Sequence, residues 1–139
     1  MSVPFTSEPR PRVAWYRRPA VWVVVGIAHL LAREPPSRIR AALTLARRGA
    51  RPATAGQAKT ARDAVVAVSV SCAGEGCLPR SIAAALLCRL WYGAWPTWRT
   101  GVRLHPFAAH AWIEADGHPI GEPPARYEPT LTVPPAYHY

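Results

Sequence analysis

A chain of 139 residues, half of them apolar, is one domain by length, able to bury a single core and short of material for a second. Its formal charge of +9 comes almost wholly from arginine, Lys59 being the one lysine, and the excess lies mostly before residue 63, which favours an acidic partner. No run of five or six basic residues and no aromatic ladder between arginines marks a nucleic-acid binder, and Cys72, Cys77 and Cys88 are too few for a secreted disulfide scaffold, which points to a reducing cytoplasm.

Prolines crowd both ends and predict irregular, extended segments there: a basic arm over residues 1–18, with Trp15 and Tyr16 as anchors, and a proline-rich tail over 127–139. Residues 19–139 read as one domain, with a helical part over 19–71 and a core bearing the chemistry over 72–126. From Pro19 to Arg33 apolar side chains cover nearly every side, predicting a helix buried on most faces, although the valine run also fits a strand. The apolar stretch 20–32 is thirteen residues long with His29 inside, too short to span a membrane, and LLARE offers no small-x-small site for signal-peptide cleavage.

After Pro36, Ser37 is a candidate N-cap for a helix with Ile39, Leu43 and Ala46 on one face and Gly49 at its end. Alanines and valines at helical spacing predict a third helix over about 54–71. CAGEG breaks it, and a fourth helix follows from Cys77 to Trp91, with Leu78, Ile82, Ala85, Leu86 and Leu90 at three- and four-residue steps. The period then changes to two in Trp98, Thr100, Val102 and Leu104, and again in AHAWIEADG, whose Asp116-Gly117 predicts a two-residue hairpin turn into HPIGE. Helices first and a small antiparallel sheet afterwards define an α+β fold, with the Cys77 helix packed on the sheet.

Within GEGCLPRSIAAALL, Cys77 opens its helix. The macrodipole and the first-turn N–H groups favour a thiolate there, Pro79 removes only an N–H that has no intrahelical partner, and Gly74 and Gly76 leave space beside the sulfur. His110, thirty-three residues on, sits between small Ala109 and Ala111 on an alternating strand, with Trp112 on the same side, and is a candidate base for that nucleophile. A carboxylate should hold the imidazole by its other nitrogen, and Glu122 and Asp116 compete for that role. With the turn centred on Asp116-Gly117, facing residues sum to 233, so His110 lies opposite Pro123 and Glu122 is one residue away; Asp116 is six residues along the strand, roughly 20 Å off.

CLPRSIAAALLCRLWYG followed by HPFAAHAWIEADGHPIGEPP resembles the leader peptidases of lasso-peptide biosynthesis, small members of the transglutaminase-like cysteine peptidases. The likeness covers roughly residues 72–126. It implies a transglutaminase/papain-like fold with Cys77 as nucleophile, His110 as its base and Glu122 as the third member, where aspartate is the more usual residue. It further implies a ribosomal precursor peptide as substrate, cut between leader and core, a separate leader-binding recognition protein and an ATP-dependent lasso cyclase acting afterwards, with no cofactor.

Other readings stand beside this one. Cys72 with Cys77 and His105 with His110 form C-x4-C and H-x4-H, but the intervening gap holds a full amphipathic helix, unlike a compact zinc finger. Cys88 reads as a buried small hydrophobe. Trp91, Tyr92, Trp95 and Trp98 are core between helix and sheet or a wall of a peptide groove; Arg80 stabilises negative charge beside the thiol or faces solvent. The alternative from another functional class is a non-catalytic basic adaptor that binds an acidic peptide or nucleic acid through the arginine-rich front half.

Overall fold

In the computed structural model, which describes residues 15–68, 77–104, 107–121 and 127–135, a 3-10 turn (Trp15–Arg17) leads into α1 (Arg18–Leu31). The valine run is helix, not strand. Pro19 occupies its first turn, where a missing N–H breaks no intrahelical bond. Burial on most faces is not what α1 shows: Val21, Val24, Val25 and Ala28 are buried, whereas Trp22 is 53 % exposed, Val23 61 % and Leu30 65 %. An all-apolar helix buries only the faces that have neighbours, and the neighbours of α1 lie on one side.

α2 (Pro36–Ala46) buries Ile39 and Leu43, as expected. Its N-cap is Pro35, not Ser37, because Pro36 with its preset φ takes the start of the helix and pushes the serine into the first turn. α3 (Ala55–Val68) opens on a capping box that Thr54 and Gln57 close reciprocally: Thr54 Oγ1 accepts from Gln57 N, and Gln57 Oε1 accepts from Thr54 N, each at 3.1 Å. The remainder of the predicted third helix, over 69–71, lies outside the described residues.

α4 (Cys77–Tyr92) is the element around which the others assemble; it packs on α1, α3 and the sheet. The three- and four-residue pattern predicted one buried face including Leu90, yet Leu90 is 60 % exposed, while Ile82, Ala83, Ala84, Ala85, Leu87 and Cys88 are fully buried. The alanines are small enough for neighbours to approach α4 from several sides, so its burial follows the volume of its side chains more than their polarity. Gly93 ends it at φ +62, and Arg89 donates to Ala46 O and Arg48 O at 3.1 Å each, fastening α4 to the end of α2.

Two short strands, β1 (Arg51–Pro52) and β2 (Ala94–Trp95), pair in parallel. The main sheet is antiparallel and holds β3 (Thr97–Leu104), β4 (Phe107–Ala115), β5 (His118–Pro119) and β6 (Glu128–Val133) in the order β5-β4-β3-β6. The hairpin register matches the sequence reading: Glu114 pairs with Pro119 and Ala115 with His118. The proline-rich tail, expected to be irregular, instead supplies β6. Proline is tolerated there because β6 is an edge strand and Pro129 lies where the register with β3 shifts, between Thr100 and Gly101. Trp95 and Trp98 are fully buried, their indoles donating to Val133 O and Ser81 Oγ, each at 3.0 Å.

The arrangement is α+β, as the sequence indicated. Among the described residues no helix is long and apolar enough to cross a membrane. Because Ala84 is fully enclosed, Ala84→Leu should overpack α4 and lower unfolding free energy by about 1–3 kcal/mol. Urea denaturation measures it, and an unchanged midpoint would mean that α4 is not enclosed as described.

Candidate active site

The half-buried Cys77 is the first residue of α4. Its turn is held down from behind: Ser81, 4 % exposed, donates to Leu78 O at 2.9 Å and accepts from the Trp98 indole of β3. Arg80 is buried as well, so the solvent-facing alternative for it does not hold.

His110 comes from β4, directly across the ladder from Gly101 of β3. Side chains alternate along a strand: Ala111, Ile113 and Ala115 are buried, the latter two within the main core, and His110, Trp112 and Glu114 project from the other face. There the imidazole stacks on Trp112, with centroids 5.8 Å apart and planes at 14°, and meets Tyr127 at 5.3 Å. Trp112 is fixed in turn, its indole donating to Glu114 Oε2 at 2.7 Å while Arg99 Nε lies 3.5 Å from Glu114 Oε1. Gly101 makes this packing possible, since a Cβ at that position would stand 2.9 Å from Trp112 Cη2, 2.8 Å from Glu128 O and 3.0 Å from Tyr127 Cβ.

Cys77 and His110 both line one cavity of about 440 Å³, whose mostly apolar wall also includes Ile39 of α2, Leu78 of α4, Thr100 of β3 and Leu131 of β6. Trp98 lines it too, so it is both core and cavity wall. Trp98, Thr100, Val102, Ala109 and Ala111 face this cavity from one side of the sheet, so His110 borders it along the strand while its ring lies with Trp112 and Tyr127 on the other side.

Asp116 has φ 54 in the hairpin turn, and its Oδ2 accepts from Ala55 N at 2.9 Å, tying the turn to the start of α3. Glu122 lies outside the described residues, as do Cys72, Gly74, Gly76 and His105. Among the described residues no group of three or more His, Cys, Asp or Glu side chains is placed to hold a metal ion. The sequence reading noticed Trp112 beside His110 but missed Gly101, Glu114, Arg99 and Tyr127. Alternation alone could have put Glu114 on the His110 face; Tyr127 had no such signal, because it precedes a strand that the prolines concealed.

The sequence profile of the Transglutaminase-like superfamily matches residues 21–132, and the chain belongs to that superfamily, whose members are in general cysteine peptidases and transferases. No curated protein and no solved structure matches the chain.

The two described thiols differ in environment. Burial pushes Cys88 up to about 12, since desolvation penalises the thiolate, whereas Cys77 is only half-buried and borders the cavity. Iodoacetamide at pH 8 should therefore modify Cys77 and spare Cys88 in the folded chain, and reach Cys88 only in urea, as read by peptide mass mapping. Labelled Cys88 from folded protein would contradict the burial of α4.

Proposed function

We propose that this chain is a cysteine peptidase that removes the leader from a ribosomal lasso-peptide precursor. The observation that carries the reading is Cys77 at the head of α4, bordering a cavity whose wall also includes residue 110 of β4, within a chain of the Transglutaminase-like superfamily. The CLPRS and AHAW motifs that place those residues are the ones that resemble the leader peptidases.

On this reading the Cys77 sulfur attacks the carbonyl of the last leader residue, and His110 accepts the thiol proton. The tetrahedral intermediate collapses as the C–N bond breaks, His110 delivers the proton to the departing core amine, and a thioester remains on Cys77. Water activated by His110 then hydrolyses the thioester, releasing the leader acid and restoring the thiol. Cys77 N–H and a second donor stabilise the oxyanion. Glu122 orients the imidazole. The step needs no metal or cofactor. Nucleophile and base are often farther apart in a free enzyme than in its substrate complex, and the reading requires the His110 ring to leave the Trp112 and Tyr127 face and reach Cys77 when the peptide enters.

A separate leader-binding recognition protein presents the precursor, the reaction belongs in the cytoplasm, and an ATP-dependent cyclase consumes the freed amine. Nucleic acid has no part in it.

With the precursor and the leader-binding protein supplied, Cys77→Ala and His110→Ala should each reduce cleavage by about 10³-fold or more, measured by mass spectrometry. Near wild-type cleavage in either would sink the pair. Full biological activity of Cys77→Ala, with a salt-sensitive complex retained, would favour the basic adaptor instead.

The carboxylates separate in the same assay. Glu122→Gln should lose about 10²–10⁴-fold, whereas Asp116→Asn, which keeps an acceptor for Ala55 N and tolerates positive φ, should stay within about threefold. The reverse order would assign the third role to Asp116.

A further inference from the structure

α1 is apolar on two faces and packs with one. Val21, Val24, Val25 and Ala28 are buried against the fold, and the opposite face carries Trp22, Val23, Ile27 and Leu30, all exposed, around an exposed Gly26 whose added Cβ would meet nothing within 4 Å. At 1.5 Å per residue the stripe from Trp22 to Leu30 is about 12 Å long. Contiguous apolar surface of this kind marks an interaction site more often than single exposed leucines do.

The two ends of the stripe are charged. Arg18 stands one turn before Trp22 and Arg33 one turn after Leu30, both exposed, and between them no exposed residue of the helix has a hydrogen-bonding side chain. Glu34 is the only acidic residue between positions 15 and 54, and Arg38 takes it up at 3.0 Å. The exposed Arg18, Arg33, Arg40, Arg48 and Arg51 therefore leave this part of the chain positive.

These features decide between occupants. A second copy would bring arginines at the ends of one stripe against arginines at the ends of the other, whichever way the helices ran, and like charges so placed disfavour the pairing. A folded protein interface carries about one hydrogen bond per 100–200 Å², and this face offers no side chain for one between its ends. A bilayer asks for neither shape nor hydrogen bonds there: its acyl boundary takes aliphatic side chains, indoles sit at headgroup depth, and guanidinium groups meet phosphates.

We propose that the outer face of α1 is a docking surface for an anionic membrane: Trp22, Val23, Ile27 and Leu30 enter the boundary between headgroups and acyl chains, and Arg18 and Arg33 hold lipid phosphates at either end. Among the described residues none of α1 lines the cavity that holds Cys77, so the docked helix is not part of that wall. The inference does not depend on the peptidase reading.

Flotation of the full-length chain with vesicles tests it. Vesicles of phosphatidylcholine and phosphatidylglycerol in equal parts should bind the chain at least about tenfold more tightly than phosphatidylcholine alone. Trp22→Ser/Leu30→Ser should weaken that binding by about tenfold or more, and Arg18→Glu/Arg33→Glu should do the same, with a loss that shrinks in high salt. Leu104→Ser, which removes an exposed leucine from β3 instead, should leave binding within about twofold. Should the Trp22→Ser/Leu30→Ser chain not fold, Ile27→Ser probes the same face and must weaken binding as well. No binding to the anionic vesicles, or binding that the serine variants retain in full, would overturn the proposal, the second result being attraction of a chain of charge +9 to acidic lipid and nothing more. A dimer in sedimentation analysis, or a complex with the leader-binding protein, that the same serine substitutions dissolve would give the face to protein and overturn it equally.

Discussion

The Trp98 indole donates to Ser81 Oγ, and the same hydroxyl donates to Leu78 O. Through that one buried oxygen the first turn of α4 is pinned to β3. Both partners are almost wholly out of water, where an unmade hydrogen bond is penalised by the full desolvation of the orphaned group, about 1–3 kcal/mol, so the geometry tolerates little drift. The position of Cys77, one residue before Leu78 and four before Ser81, is inherited from this link. Ala83, Ala84 and Ala85 then let the surrounding elements close around the rest of the helix.

The arginines look different once their partners are known. From composition they suggested a basic face awaiting an acidic ligand. In the structure Arg89 holds the end of α2, Arg47 donates to Pro134 O at 2.7 Å beyond β6, and Arg17 lies 4.5 Å over the Trp91 ring. A guanidinium is planar and weakly hydrated, with several donors in a fixed fork, and this chain uses it to join elements distant in sequence. These three arginines therefore serve internal connections, while Arg18, Arg33, Arg38, Arg40, Arg48 and Arg51 of the front half are exposed, as a basic face requires.

What was legible in the sequence was local. The start of α4 at Cys77, the helical character of α1 and α3, and the register of the Asp116-Gly117 hairpin each depend on a few neighbouring residues, and each stands as read. The misreadings concern what a segment packs against. Nothing in AVWVVVGIAHLLA says that α1 has neighbours on one side only, nothing in Leu90 says that it points to solvent, and the prolines of the tail hid β6 because only the sheet reveals that strand as an edge with a register shift. The candidate site divides in the same way. Cys77 and His110 were found from their local settings, but of the two rings against the imidazole one, Tyr127, comes from the distant stretch before β6, and Glu122 lies outside the described residues.

Gly101 extends this dependence over time. Its missing side chain is what lets Trp112 and the backbone at Glu128 close over the strand beside His110. A larger residue there is tolerable only after the indole has shrunk or the edge strand has shifted, and a smaller residue at position 112 leaves a void for as long as the glycine remains. These positions cannot drift one at a time without passing through a poorly packed intermediate, so descendants of this chain should change them in concert or leave them alone.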